Sequence, residues 1–303
     1  MTSSEDPERT EASGAAQSWQ PRGPEQPLGA GLYIVATPIG NLQDITIRAL
    51  DVLRRADLVA CEDTRVTARL LSHYGIRATT TPYHDANAER ARLKLLARLR
   101  EGAKVALVSD AGTPLISDPG FKLVREAVAA GVAVIPIPGP SSLLAALTAA
   151  GMPTDRFLFV GFLPAKPGQR RVALADVQAI PATLVAMESP QRLGPCLADM
   201  AAVLGRRPAA VARELTKHFE ETVRGDLGEL AAHYADAPAK GEVVIVVGPP
   251  SEASLVADDA ATDALLRTAL TTRRPAEAAA LVAQQTGRAR RDVYARAMAL
   301  RKR

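Results

Sequence analysis

The residues best able to do chemistry stand just after short apolar runs. Val105–Val108 empties into Ser109-Asp-Ala-Gly-Thr-Pro-Leu-Ile-Ser-Asp-Pro-Gly120, a loop with two carboxylates (Asp110, Asp118), two prolines and two glycines. A bounded apolar run of this kind reads as a strand of a parallel sheet, and ligands of open α/β sheets sit just beyond such strand ends. Other runs end in Thr37-Pro-Ile-Gly-Asn41, Glu62-Asp-Thr-Arg65, Pro82-Tyr-His84 and Pro138-Gly-Pro-Ser-Ser142. In a parallel sheet these loops share one edge. That edge gathers hydroxyls, carboxylates and glycines above an aliphatic interior, so it reads as a binding edge. The common nucleotide and hydrolytic motifs are missing. There is no GxxxxGK[ST], no GxGxxG after the first strand, no HExxH, no GxSxG and no Cys/His metal spacing. Kinases, dehydrogenases, zinc hydrolases and serine hydrolases are left without support, and no metal is expected.

Holding five loops on one edge requires alternating strands and helices, and the pattern supplies them. Strands are expected at Leu32–Ala36, Leu58–Cys61, Thr79–Thr81, Val105–Val108 and Ala133–Ile137. Helices are expected at Ile45–Arg55, Thr64–Tyr74, Asn87–Arg100, Phe121–Ala130 and Ser141–Ala150. Such strand–helix units predict a parallel sheet with right-handed crossovers. The alternation pauses at Gly151-Met-Pro153, which places an N-terminal α/β domain over 30–150 and a second α/β domain over 151–249. The second has strands at Phe157–Val160, Ala182–Met187, Ala209–Ala212 and Glu242–Val247 and helices at Gln191–Leu204 and Leu227–Ala237, with basic Lys166–Arg171 as a link. Residues 1–29 read as a disordered extension and Gly248–Asp259 as a linker. Three short helices follow within 260–303: Asp263–Leu270, Pro275–Gln285 and Arg290–Leu300. They read as a basic helix-turn-helix-like module or as a capping three-helix bundle.

Composition narrows the class further. At 303 residues, 47% of them hydrophobic, the chain can build two ordinary domains. No apolar run reaches membrane-spanning length. Two cysteines, Cys61 and Cys196, cannot form a disulfide framework, so a reducing cytoplasm is expected. The net charge of +4 is unevenly spread: from Ala261 to Arg303 ten Arg or Lys stand against three Asp or Glu. A basic tail on a nearly neutral body suggests nucleic acid, and a solvated Arg-rich helical surface is the other reading.

Taken together, Thr37-Pro-Ile-Gly-Asn-Leu-Gln-Asp-Ile-Thr46, Cys61-Glu-Asp-Thr-Arg65, the Ser109–Gly120 loop, Pro138-Gly-Pro-Ser-Ser142, Glu188-Ser-Pro-Gln-Arg192 and Arg213-Glu-Leu-Thr-Lys217 resemble one family. It is the ribosomal RNA small subunit methyltransferase I family, of the tetrapyrrole methylase superfamily. The resemblance runs from about Leu32 to Val247, and the tail is similar to that family's C-terminal helix-turn-helix. It implies an α/β fold of two domains, the first with a parallel and the second with a mixed sheet. It also implies S-adenosyl-L-methionine as cofactor and methylation of a cytidine ribose 2′-hydroxyl in 16S rRNA, within the small ribosomal subunit, by a cytoplasmic homodimer. Tetrapyrrole and diphthine methylases tend to open on GxGxG and to carry a compact Gly-Asp-Pro loop. Here a single glycine and the longer Asp110–Gly120 loop stand in those places, which counts against a porphyrinoid substrate.

The resemblance places the cofactor shell on Pro38, Asp110, Ile116, Ser141, Ser142, Met187 and Ala212. Asp110 would accept from the cofactor's ribose hydroxyls or ammonium, or else cap its own turn. Gly112 lets the backbone approach the ligand or simply meets a positive φ, and Ser141 has a second reading as an N-cap. Methyl transfer is an in-line displacement, and a ribose hydroxyl is a weak nucleophile that a base or a cation would help. Glu188 is the expected base, because the second domain's strand end should face the methyl group. Arg65, Arg192, Arg213 and Lys217 are candidates for phosphate contacts or alkoxide stabilisation, with plain ion pairs as the alternative. His84 and His218 read as structural or surface residues. Two other functional readings stay open: a small-molecule methylase of the tetrapyrrole type, and a non-enzymatic RNA-binding protein with the body as a ligand sensor.

Overall fold

The computed structural model describes residues 27–235, 240–251, 259–286 and 288–301. The expected extension up to residue 26, most of the expected linker and the end of the expected Leu227–Ala237 helix lie outside the described residues. The first sheet contains β1 (Gly31–Val35), β2 (Leu58–Cys61), β3 (Thr80–Pro82), β4 (Lys104–Val108) and β5 (Val134–Ile137). Its order is β3-β2-β4-β1-β5 and every pairing is parallel. Helices α1 (Ile47–Arg55), α2 (Thr64–His73), α3 (Ala88–Arg100) and α4 (Phe121–Ala129) alternate with the strands. Thr46 and Asp63 start α1 and α2 by accepting the backbone N–H groups of Ala49 and Arg65, which satisfies donors that a helix start leaves open.

Side chains alternate along the strands, so each face of the sheet builds its own core. Val35, Val59, Ala106 and Val108 meet α1 and α2, while Leu32, Ala60, Val105 and Leu107 meet α3 and α4. The neighbours β1 and β4 are therefore followed by helices on opposite faces. Their loops part, and a crevice opens at the switch point where open α/β sheets bind ligands.

The second sheet is mixed. It joins β6 (Phe157–Phe162), β7 (Thr183–Glu188), β8 (Pro208–Arg213), β9 (Glu221–Asp226) and β10 (Val243–Val247) in the order β6-β7-β10-β8-β9. Only β6 and β7 pair in parallel. Helices α6 (Pro167–Val177), α7 (Leu193–Leu204) and α8 (Leu227–His233) cover one face. The other face receives α5 (Ser142–Ala150), whose Leu143, Ala146, Leu147 and Ala150 pack on Val185, Ala210, Val244 and Val246. The helix that follows the last strand of the first sheet thus lies on the second.

Two elements differ from the sequence expectation. The stretch expected to be only a link from Lys166 opens α6, and β9 was not anticipated. Both are poor in apolar signal for a physical reason. α6 buries just Arg170 and Leu174, and β9 is a polar edge strand with no fully buried residue. Arg170 is held by Asp199 of α7, with Nε and Nη2 at 2.7 and 2.6 Å from Oδ2. A buried charge thus takes the place of an apolar stripe.

The tail forms α9 (Asp259–Leu270), α10 (Pro275–Thr286) and α11 (Arg290–Arg301). They enclose a core of their own made from Leu266, Ala269, Ala278, Ala279, Val282, Val293 and Ala297. An Arg296–Asp263 ion pair ties the third helix to the first. Among the described residues no helix is long and apolar enough to cross a membrane.

Candidate active site

Three loops of the first sheet are stitched together at the switch point. Thr37 and Gly112 exchange two backbone hydrogen bonds of 2.9 Å, and Thr37 Oγ1 donates to the Ser109 carbonyl at 3.1 Å. Thr113 Oγ1 donates to the Pro140 carbonyl at 3.0 Å, drawing in the loop after β5. Gly112 has φ +78°, and a Cβ there would sit 3.3 Å from Ile39, so backbone conformation and space both favour glycine. Leu115 and Ser117, at φ 74° and 64°, hold the next turn in the left-handed region without being glycine. Strain of that kind concentrates at functional sites.

A cleft of about 380 Å³ lies between this loop edge and the second sheet, within the range of small-molecule sites. From the first sheet's side Gly112, Ile116, Ser141 and Ser142 line it, and from the second Met187 and Glu188. Pro38 and Asp110 line an adjoining cleft of about 300 Å³, with Ile39, Ala111 and Glu242 common to both. Ala212 lines neither. It is buried beside Val244, its neighbour in the β8–β10 pairing, and so stands behind the cleft wall. Ser141 also caps α5 by accepting the Leu144 N–H, so its two readings coexist. Asp110 does not cap its own turn; its Oδ1 accepts the Asp63 N–H at 3.0 Å, linking the ends of β4 and β2.

Glu188 ends β7 with its side chain fully out of solvent. One carboxylate oxygen accepts from Arg192 Nη2 at 2.5 Å and Nε at 2.7 Å, and from the Ser189 N–H at 2.7 Å. The other, Oε2, is buried with no hydrogen-bond partner among the described residues. The nearby Cys196 thiol is pushed up to about 12, by burial first and then by the Glu188 charge, so it stays protonated. Glu188 therefore has one oxygen anchored by Arg192 and the Ser189 N–H and a second, buried oxygen on the side of the protonated Cys196 thiol.

Of the expected substrate-side cations, Arg65 is exposed and holds its own neighbour Asp63, whose carboxyl falls to about 2 under the Arg65 hydrogen bonds. Arg213 pairs with Glu221 at 2.6 Å. Neither Arg65 nor Arg213 lines a cleft. Lys217 does. Its Nζ reaches Glu214 at 3.0 Å and Glu242 at 3.5 Å. Burial pulls the Lys217 ammonium down, but its hydrogen bond to Glu214 and the two carboxylate charges outweigh this and raise it. The Lys217 stem lies on Gly40, where any Cβ would collide with it, and Thr216 Oγ1 accepts the Asn41 N–H at 3.1 Å. The Arg213–Lys217 loop of the second sheet is thereby fastened to the first loop of the first sheet. Gly241, at φ +80°, leaves room for the Glu214 carboxylate in the same way.

Sequence reasoning did not single out Thr113, Ser117, Asp118, Phe162 or Glu242 as site residues, yet all five line the larger cleft. Asp118 carried a signal, because it sits in the same motif as Asp110. Phe162 carried none, since an aromatic residue at a strand end reads as core. The carboxyls of Glu62 and Asp118 are both raised, each by burial first and also by the charge of Asp110. A hydrogen bond from Ser109 partly opposes the shift at Asp118. Mutually repelling, half-buried carboxylates at a cleft fit a ligand that brings positive charge, which a sulfonium and an ammonium both do.

The same repulsion has a thermodynamic sign. A carboxyl raised in the folded protein binds its proton more tightly there than in the unfolded chain. Its favourable contribution is present at low pH and is lost as pH rises through the raised value. The contribution of Glu62 and Asp118 to stability should therefore fall as pH climbs out of the ordinary carboxylate range, against the opposite contribution of the lowered carboxyls of Asp63, Glu214 and Asp226. Asp118→Asn should flatten that loss and raise the melting temperature at neutral pH by roughly 2–4 °C. Thermal unfolding across this pH range tests it; an unchanged or lower melting temperature at neutral pH contradicts it.

Comparison with known proteins defines the class. The family described as Tetrapyrrole (Corrin/Porphyrin) Methylases matches residues 31–231, and the RsmI C-terminal HTH domain matches 256–301. A solved structure of uroporphyrin-III C-methyltransferase from Thermus thermophilus, complexed with S-adenosylhomocysteine, superposes with a TM-score of 0.51 at 23% identity, covering 72% of this chain and 97% of that one. The fold is that of a tetrapyrrole-type methyltransferase. Ribosomal RNA small subunit methyltransferase I of Mesorhizobium japonicum is 54% identical over 92% of this chain and 95% of its own length. The protein of that name from Escherichia coli O157:H7 is 49% identical, over 87% and 93%. The chain belongs to the ribosomal RNA small subunit methyltransferase I family.

Proposed function

We propose that the protein uses S-adenosyl-L-methionine to methylate the ribose 2′-hydroxyl of a cytidine in 16S rRNA. It does so on the small ribosomal subunit, in the cytoplasm and as a homodimer. Residues 30–150 and 151–249 serve as the two catalytic domains and the basic 260–303 module as an RNA contact. The relatives that carry the rRNA name match along nearly the whole chain. The observation that supports the chemistry is that Glu188 lines the cleft at the end of β7 with one carboxylate oxygen, Oε2, left without a hydrogen-bond partner among the described residues.

Asp110, Ser141, Ser142 and the Gly112 backbone would hold the polar parts of the cofactor, with Pro38, Ile116 and Met187 around its apolar surface and Ala212 backing that wall from behind. When bound, it supplies an electrophilic methyl group. Glu188 takes the proton of the attacking hydroxyl at Oε2, while Arg192 and the Ser189 N–H fix the carboxylate through Oε1. The stitched loops set the approach geometry in advance, where much of the rate of an in-line transfer originates. Lys217, and Arg192 beyond its ion pair, place positive charge beside the acceptor's phosphates; Arg65 and Arg213 would meet RNA further out.

Asp110→Ala removes a charged acceptor and unties the ends of β2 and β4. It should weaken binding of S-adenosyl-L-methionine roughly 10- to 100-fold, read by titration calorimetry; unchanged affinity would remove Asp110 from the shell. The function itself is tested by incubating small subunits from a strain lacking this activity with protein and labelled cofactor, then mapping the label. Label on a cytidine ribose supports the reading, label on a base changes the acceptor, and no label on rRNA overturns it.

A further inference from the structure

We propose that the groove between the edge strand β3 and helix α3 holds the phosphate backbone of the RNA away from the reacting nucleotide. This rests on the rRNA reading above and extends it to a surface outside both clefts. The groove has a volume of about 370 Å³. Thr79–Pro82 form one wall, Arg90, Lys94 and Arg98 the other, and Leu58 and Leu95 lie at its base.

Its cations stand four residues apart on α3. They therefore share one helix face and recur about every 6 Å, the order of the spacing between successive phosphates of a nucleic-acid strand. All three are exposed, and none has an acidic partner among the described residues. Arg92, on another side of the same helix, is by contrast paired with Glu126 at 2.9 Å. A solvated helix commonly intersperses both signs of charge, so three unpaired cations along a groove form a local positive field.

The opposite wall offers hydroxyls. Thr79, Thr80 and Thr81 line it, and alternate threonines of this strand can offer it hydroxyls of a type that often contacts phosphate oxygens. The strand is short and ends in Pro82, features that blunt a sheet edge against pairing with another strand. This disfavours a protein strand as occupant. The groove is also preformed: Asn87 donates from Nδ2 to the Pro82 carbonyl and accepts the His84 N–H at Oδ1, both at 3.0 Å, fixing the start of α3 to the end of β3.

Position supplies the last argument. Parallel pairing puts the β3 end on the same edge as the candidate site, and the Asp85 charge is near enough to raise the Glu62 carboxyl there. That edge carries Glu62, Asp63, Asp85, Asp110 and Asp118, with Arg65 and Lys217 as cations among them. With carboxylates outnumbering cations at this edge, an RNA reaching the cleft gains from further cations set back from it, and the α3 stripe starts at its border.

The test uses the full-length protein, with 16S rRNA and polyuridylate as separate probes. The triple variant Arg90→Gln/Lys94→Gln/Arg98→Gln should weaken binding to both at least 10-fold in moderate salt. It should also make the plot of log affinity against log salt shallower by roughly 2. Affinity for S-adenosyl-L-methionine and the melting temperature should stay as in the parent, and Arg90→Lys/Arg98→Lys should keep most of the RNA affinity. Unchanged RNA affinity and salt slope in the triple variant overturn the groove, whatever the methylation result. Polyglutamate of equal charge competing as well as polyuridylate overturns the assignment to nucleic acid. If the parent methylates no rRNA yet the variant loses polyuridylate binding, the substrate reading falls and the groove stands.

Discussion

Replacing Glu188 by Gln should slow methyl transfer roughly 10²- to 10⁴-fold, the usual contribution of a positioned general base. The substitution preserves shape and leaves an oxygen able to accept from Arg192 and the Ser189 N–H. It removes the proton acceptor at Oε2. Arg192 is about one-third exposed, so water can solvate its charge once the carboxylate is gone. The decisive reading is the split between steps. Single-turnover rates at saturating cofactor and rRNA should fall by the full factor, whereas cofactor affinity should stay within about twofold of the parent. An equal loss in cofactor affinity would make Glu188 an architectural partner of Arg192, and an unchanged rate would remove it from the chemistry.

The largest expected effect on stability lies far from the cleft. Asp199→Ala should destabilise the protein by about 3–5 kcal/mol, because it leaves Arg170 charged and buried without its counterion. Arg170 is 2% exposed, and its remaining contacts to the Ala165 and Pro195 carbonyls are long, at 3.4 Å each. Arg171 also reaches Asp199, at 3.6 Å, but its side chain is 55% exposed and loses little when freed. For a chain of this size the melting temperature should drop by on the order of 10 °C. The double variant Arg170→Met/Asp199→Leu should recover most of that loss, since removing both charges leaves nothing uncompensated. If the single variant melts within about 2 °C of the parent, water reaches the Arg170 guanidinium and it is not buried in solution.

How legible a residue was depended on whether its signal is local. Asp110 stands out because strand, loop and helix follow within a few residues, and hydrophobic periodicity reports such neighbours directly. The same holds for the Ser141 cap and the parallel first sheet, whose strands apart from the short edge strand β3 are largely apolar runs. α6 and β9 carried little such signal: one closes its core with a buried ion pair, and the other is a polar edge strand. The cations illustrate a further limit. Arg65, Arg192, Arg213 and Lys217 have the same chemical character in a sequence, but their surroundings sort them. Lys217 faces a cleft, Arg192 fixes a buried carboxylate, and Arg65 and Arg213 pair with neighbours outside both clefts.

By itself the sequence determined the class of fold, the edge on which the loops gather and, through its motifs, the family. These follow from short-range pattern and from the parallel-sheet rule that strand ends share a side. Only the tertiary structure decided how the two sheets meet. It laid α5 on the second sheet, fastened Lys217 over Gly40, and anchored the buried Glu188 carboxylate to Arg192 in the cleft lining. It also set Arg90, Lys94 and Arg98 beside the β3 threonines. Each of these depends on contacts between segments distant in the chain, and burial and electrostatics act through space, which residue spacing along one segment does not encode.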